Sequence, residues 1–375
     1  MKSSEERRAL VSGASMAGLS AAYWLGRAGY KVTVVEQAGA PRTSGAAVDL
    51  RGPAIDLVKQ MGIYEPLKAA GLHVARIAFK NTDDSTAGAI ELGGGGGDDE
   101  QEEGIEIERD QFVRIMLGLL QDDVEFCYHD SITALSEIED GMSVTFRNCP
   151  QRSFGLVLGC DGMHSAVRRL WFGPEEDYVR FLGAYFSITT VNKLLVEAQT
   201  MQMYNVPGKA ITFNAYNGKT DIILCFLSDQ QIPYDHRDEA GQRQIMEAQF
   251  AGVGWRSAAL LEELRQSPHF YFDQFCQVKM PSWTRGRVAL AGDAAYCASP
   301  AAGMGASLAL AGAAAVAEAL QNHHGNIDSA FSEYNQSLRP FIEEVQAAAE
   351  FNVREHFIPR TEEAIRKRNM LTAAF

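Results

Sequence analysis

Gly13-Ala14-Ser15-Met16-Ala17-Gly18 stands between an apolar run with β-branched Val11 at residues 8–12 and a stretch of helical composition at 17–28, and a Val-rich strand follows at 31–36. Strand, glycine turn, helix and strand within about 30 residues make a βαβ unit. Such a turn brings backbone N–H groups and the positive end of a helix dipole up to a pyrophosphate. Glu36 closes the second strand about 20 residues after the turn, where an acid accepts hydrogen bonds from ribose hydroxyls and disfavours a 2′-phosphate. The adenosine expected there belongs to FAD or NAD rather than NADP. Ser15 replaces the usual second glycine, so the fingerprint is imperfect. Near the other end, Gly286-Arg287-Val288-Ala289-Leu290-Ala291-Gly292-Asp293-Ala294 reads as a strand end that delivers the Asp293 carboxylate to the sugar chain of the same ligand. The matched pair of motifs indicates FAD.

With 375 residues the chain has room for two interlocked domains. Its 34 basic and 48 acidic residues give a net charge of -14, which argues against nucleic acid or an anionic membrane as partner. Cys127, Cys149, Cys160, Cys225, Cys276 and Cys297 form no C-x-x-C pair and have no His at metal spacing, so neither a zinc site nor a disulfide framework is expected. A reducing cytoplasm fits. There is no signal-peptide core and no uninterrupted apolar run of about 18 residues. Residues 303–320 come nearest, but they are Ala- and Gly-rich and carry Glu318, as in a tightly packed internal helix.

Strands are predicted at 47–50, 74–80, 105–108, 124–128, 131–137, 143–147 and 154–159, and helices at 53–61 and 109–120. From 179 to 227 the pattern is strand after strand, with turns at Asn205-Val206-Pro207-Gly208 and Asn217-Gly218. That is an antiparallel sheet, inserted between parts of the dinucleotide fold. Residues 239–265 read as helical, 270–278 as a strand, and 303–351 as mostly helix with a break near His324-Gly325. Gly93 to Gly97 and the acidic run to Glu103 read as a solvated loop.

A third motif, Leu158-Gly159-Cys160-Asp161-Gly162-Met163-His164-Ser165-Ala166-Val167-Arg168, lies between the other two. With it the chain resembles the single-component (class A) flavoprotein monooxygenases, the family of para-hydroxybenzoate hydroxylase and the tetracycline-inactivating monooxygenases. The three ordered motifs span residues 7–320. The resemblance implies noncovalent FAD held by Gly13, Ser15, Met16, Ala17, Gly18, Glu36, Gln37, Gly292 and Asp293. It places Pro300, Gly303, Met304 and Gly305 beside the isoalloxazine, and Asp161 and Gly162 where FAD and a transient NAD(P)H meet the protein. Arg109 occupies the position of an arginine beside the flavin, with a surface ion pair to Asp110 or Glu106 as the alternative. Arg42 faces the cofactor or is a solvated loop charge. The family's chemistry is carried by reduced flavin, which takes up O₂ to form a C4a-hydroperoxide that attacks an electron-rich carbon. No indispensable protein nucleophile is implied, and the candidate catalytic side chain is Arg109. Two departures stand out: Tyr296 replaces a common His, and Ala301-Ala302 follow Pro300. Both are expected to alter the space over the flavin ring.

No nucleophile elbow and no metal ligands at i, i+4 spacing occur, and His323-His324 fall on different faces of a helix end. Candidates for the substrate wall are Met201, Met203, Tyr204, Phe213, Tyr216 and Phe226, with sheet core as the alternative for each. His73 and Tyr185 are candidate partners for a phenol or enol. The expected fold is α/β: a Rossmann-like FAD-binding domain (1–72, 104–176 and 279–322), an inserted antiparallel-sheet substrate domain (73–103 and 177–278), and a C-terminal helical segment (323–375). The expected function is hydroxylation of an aromatic or polyketide-like, tetracycline-like small molecule. The rivals are an FAD oxidase or dehydrogenase on the same fold and a catalytically silent flavin- or ligand-binding protein. A monomer is compatible with the sequence, which leaves the oligomeric state open.

Overall fold

The computed structural model describes residues 7–41, 45–92, 104–120 and 123–370. Arg42 and the Gly93–Glu103 run lie outside the described residues. The opening βαβ unit forms as read: strand Arg8–Ser12, helix Met16–Arg27 and strand Lys31–Val35, the two strands parallel. They belong to a six-stranded sheet whose order runs Thr284–Arg285, Val288–Leu290, Leu156–Gly159, Arg8–Ser12, Lys31–Val35, Val124–Cys127. All its pairings are parallel except that of the edge strand Thr284–Arg285. Leu10, Val11, Val34, Leu156, Val157 and Val288 are wholly buried, the near-continuous apolar strands of a sheet covered on both faces. The three motifs therefore end on adjacent strands of one sheet.

A seven-stranded sheet forms the second layer, in the order Phe270–Val278, Val179–Val191, Lys219–Leu227, Lys209–Tyr216, Thr200–Val206, Arg76–Lys80, Thr86–Glu91. It is antiparallel but for one pair, Thr200–Val206 with Arg76–Lys80. Its two faces are different environments, because successive side chains along a strand alternate. One face, carrying Ile211, Phe213, Ile222, Leu224 and Phe226, packs on helices Glu239–Phe250 and Ser257–Gln266. The other, carrying Ala184, Phe186, Ala210 and Cys225, packs on Ala301 and on Val353 and Ile358 of the C-terminal segment. A small sheet, Val48–Leu50, Ile105–Ile107 and Gly71–Leu72, completes the framework around the site, and another, Arg152–Phe154, Gly141–Phe146 and Ile132–Ile138, lies alongside the first.

Two sequence expectations are corrected. Residues 239–265 form two helices, broken where Gly252, Gly254 and Trp255 take positive φ (71°, 94° and 48°). Residues 154–159 divide at Gly155 between the three-stranded antiparallel sheet and the parallel one. The break near His324-Gly325 is confirmed, with φ of 51° and 77° between helices Gly305–Asn322 and Ile327–Asn352. All six cysteines are free thiols. Among the described residues no helix is long and apolar enough to cross a membrane.

Candidate functional site

The glycine turn is built by close backbone approach. Gly13 takes φ of 101°, and a Cβ there would lie 2.6 Å from the carbonyl oxygen of Cys160. A Cβ on Gly18 would collide with the carbonyl of Gly13. Ser15, in the place of the usual second glycine, turns its hydroxyl to the Cys160 carbonyl at 3.3 Å, so its side chain is taken up by the neighbouring strand. Helix Met16–Arg27 has no side-chain cap and no acid in its first turn. Its N-terminal amides therefore remain suited to an anion.

Glu36 closes over this turn. Its Oε2 accepts from the Ala14 amide at 2.8 Å and its Oε1 from the Ala38 amide at 2.9 Å. Each carboxylate oxygen keeps a further lone pair for a sugar hydroxyl. Gln37 is exposed at the start of the following loop.

Gly292, with φ of 64°, is wedged against the first helix: a Cβ there would stand 2.9 Å from Cβ of Ala17 and 3.7 Å from Cβ of Ala309. This wedge brings Asp293 to the glycine turn. Asp293, Pro300, Gly303 and Gly305 are exposed although Ala294, Ala295, Tyr296, Cys297, Ala298 and Ala301 beside them are buried. The accessible surface is thus a narrow strip along the motif. Although Asp293 is reachable by solvent, the surrounding protein is dense enough that burial raises its carboxyl pKa, against the opposing charge of Arg109. Arg109 begins helix Arg109–Leu120 and lies against Gly45, its Nε 3.3 Å from the point a Cβ on Gly45 would occupy. Gly303 is left-handed (φ 61°) before Met304 and helix Gly305–Asn322, which also starts without a side-chain cap or an acid in its first turn.

The middle motif has a different local use. Asp161 Oδ1 accepts from Ser165 Oγ at 2.5 Å, and its Oδ2 from the amides of Ala166 and Val167 at 2.8 and 3.1 Å. Its carboxylate caps helix Ala166–Trp171, leaving the Cys160–Asp161 backbone as the part that meets the glycine turn. Gly162 is half-buried at φ of 80°. Arg168, 1% exposed, donates to the carbonyls of Ala294 (2.9 Å) and Met163 (2.5 Å), and its Nη2 stands 3.3 Å from Glu175 Oε2.

The proposed substrate wall needs revision. Phe213 and Phe226 are 0% and 1% exposed on the helix-covered face, away from the Ala301 loop. Tyr204 is in the same cluster. Tyr216 is on the other face but gives its hydroxyl to Asp221 at 2.7 Å, and Met203 Sδ accepts from Arg368 at 2.9 Å. Tyr185 is wholly buried, its hydroxyl accepting from the Ile232 amide at 2.6 Å, and His73 is exposed. Tyr296 does not reach the exposed strip: it is 1% exposed, packs edge-on against Trp283 at 4.8 Å, and points its hydroxyl at Gly312. Sequence reasoning also missed Asp49, Glu106 and Asn214, three polar residues beside Gly303 and the sheet face that meets it.

The donor set fits FAD. Two carboxylates with spare lone pairs suit sugar hydroxyls, uncapped helix starts suit phosphate, and glycine cradles that a Cβ would fill permit close backbone approach. The model of the family described as "FAD binding domain" matches residues 6–349. An uncharacterised protein of Mycobacterium tuberculosis is 38% identical over 348 residues, covering 92% of this chain and 93% of its own. A flavin-dependent monooxygenase of Legionella longbeachae is 34% identical over 341 residues, 91% of this chain and 87% of its own. The crystal structure of tetracycline destructase Tet(51) superposes with a TM-score of 0.83 at 35% identity, covering 97% of this chain and 94% of that one. The chain belongs to this FAD-binding family, among the single-component (class A) flavin-dependent monooxygenases, and is an FAD-dependent monooxygenase.

Proposed function

We propose that the protein consumes NAD(P)H and O₂ to hydroxylate a fused-ring aromatic or polyketide-like molecule of the tetracycline type, in the cytoplasm. The observation that carries this reading is the 35% identity, over nearly the whole of both chains, to a protein described as a tetracycline destructase. FAD supplies oxygen activation when bound. The protein's share is to hold the cofactor and orient the substrate. The Gly13–Gly18 turn and the start of helix Met16–Arg27 receive the pyrophosphate, Glu36 the adenosine ribose and Asp293 the ribityl hydroxyls. Gly292 lets Asp293 approach, and Pro300 to Gly305 form the edge along the ring. Arg109 contributes a positive charge beside Asp293 and is the candidate for tuning the flavin. The cofactor domain is assigned to 1–72, 104–176 and 279–322, and the substrate domain to 73–103 and 177–278.

The test pairs a tetracycline or anthraquinone with hydroxybenzoates, following NAD(P)H oxidation, peroxide release and product mass together. A coupled gain of one oxygen atom, about 16 Da, on the fused-ring compound is expected. Efficient hydroxylation of the one-ring acids alone overturns the substrate reading, and peroxide without oxygenated product favours an oxidase.

A further inference from the structure

Asp49 and Glu106 face each other across the antiparallel pair Val48–Leu50 and Ile105–Ile107. Directly opposed residues in such a pair hold their Cβ atoms about 4.5–5.5 Å apart on one face. Leu50, Ile105 and Ile107 are buried on the other face, so the two carboxylates stand together on the side turned from that core, each only partly covered.

This pair sits between the cofactor loop and the substrate sheet. Asp49 Oδ2 is 4.0 Å from the point a Cβ on Gly303 would occupy. The amide of Arg51 donates to Ser307 Oγ at 2.9 Å, fastening this strand to the first turn of helix Gly305–Asn322. From the sheet, Asn214 Nδ2 donates to Glu106 Oε1 at 2.9 Å. Asn214 is 6% exposed, and its Oδ1 has no hydrogen-bond partner among the described residues. An acceptor buried in this way is costly until a donor reaches it, and a ligand hydroxyl lodged beside Glu106 supplies one.

The local charge is negative. Arg51 Nη2 pairs with Asp49 at 3.3 Å but is itself mostly exposed, and Asp221 stands opposite Asn214 on the neighbouring strand. Burial and the Asp49 carboxylate push Glu106 up to about 7, and burial raises Asp49 against the charge of Arg51. Two carboxyls so placed titrate as a pair. A phenol or enol can donate to the ionised member or accept from the protonated one. A substrate carboxylate beside these partly buried groups meets like charge where solvent screens it less.

We propose that Asp49 and Glu106 receive a phenol or enol hydroxyl of the substrate and turn away substrates that carry a carboxylate, so that this pair sets the charge class the enzyme accepts. The proposal rests on the aromatic or enolic substrate class given above. The probes are 1,8-dihydroxyanthraquinone and its 3-carboxylate, offered to the FAD-loaded enzyme, with binding read from perturbation of the flavin spectrum and turnover from product mass. The wild type should favour the neutral probe at least about tenfold in Kd. Asp49→Asn, Glu106→Gln and the double variant should narrow that ratio to about two- or threefold by improving the carboxylate, with FAD content unchanged. Equal binding of the two probes by the wild type, binding of neither, or an unchanged ratio in FAD-loaded variants overturns the proposal. If the preference in binding is present but no oxygenated product forms, the selection stands and the monooxygenation of this substrate class falls.

Discussion

Nη1 of Arg168 donates to the carbonyl oxygen of Ala294 at 2.9 Å, joining the middle motif to the residue after Asp293 across 126 positions of chain. Arg168→Ala would leave the carbonyls of Ala294 and Met163 without this donor inside a buried region. Leaving buried partners of a charged group unmatched costs about 2–4 kcal/mol. The expected result is a thermal midpoint lowered by several degrees and weaker FAD binding, with Arg168→Lys intermediate because an ammonium lacks the planar fork. A variant that melts with the wild type and binds FAD normally would remove this link from the account.

Asp293 and Glu36 should each be worth about ten- to a hundredfold in FAD affinity, from the 1–3 kcal/mol typical of a lost charge-assisted hydrogen bond. They should differ in stability. Glu36 accepts two backbone amides, so Glu36→Ala should also lower the melting temperature of the FAD-free protein. Asp293, raised by burial, should melt no lower as Asp293→Asn. Fluorescence titration of FAD and thermal denaturation of the apoprotein check both halves.

Gly312 lies inside helix Gly305–Asn322, where alanine is ordinarily better than glycine by about 1 kcal/mol. Here a Cβ would run into the Tyr296 hydroxyl, and overpacking a core typically costs about 1–3 kcal/mol. Gly312→Ala should therefore destabilise, and Tyr296→Phe should relieve part of the loss in the double variant, the ring carbon that carried the hydroxyl still lying 2.8 Å from the new Cβ. Melting curves of the four proteins give the coupling; additive effects would mean that Tyr296 does not fill the space beside Gly312 in solution.

His164 stands 3.8 Å from Asp273 and 3.0 Å from Glu175, and those two acids hold its pKa up at about 9. Because the folded value lies above the ordinary one, the imidazolium's contribution is complete below about pH 6.5 and disappears as pH rises through about 9. The side chain is 39% exposed, which limits the effect to about 1 kcal/mol after screening. His164→Asn should lower stability at pH 6 and be close to neutral at pH 10. Equal destabilisation at both values would assign the loss to packing against His236, whose ring stacks on that of His164 at 5.4 Å, rather than to charge.

Much of the cofactor framework was legible in the chain because its signals are local. A glycine required by a positive φ at Gly13, an acid ending the second strand at Glu36 and the Gly292-Asp293 pair each announce themselves within a few residues. The Ala-rich stretch after Gly303 carries its own helical composition and the small side chains that close packing demands. Asp161 was legible as a motif but not in its geometry, since nothing in the residues indicates that its carboxylate turns back onto the amides of Ala166 and Val167.

What the sequence by itself determined was the βαβ start, the order of the three motifs and the presence of a strand-rich insertion, all of which depend on neighbours along the chain. Only the tertiary structure decided which face of the seven-stranded sheet meets the loop around Ala301. Alternation sorts Phe213 from Asn214 but assigns neither to a partner, and apolar bulk made the residues packed on helices look like a substrate wall. Glu106 in Ile105-Glu106-Ile107 reads as the solvent side of a strand. Its meeting with Asp49 arises from a strand pairing 57 residues apart and that with Asn214 from a side-chain hydrogen bond between two sheets, 108 residues apart, and contacts at such separations leave no periodic trace in the sequence.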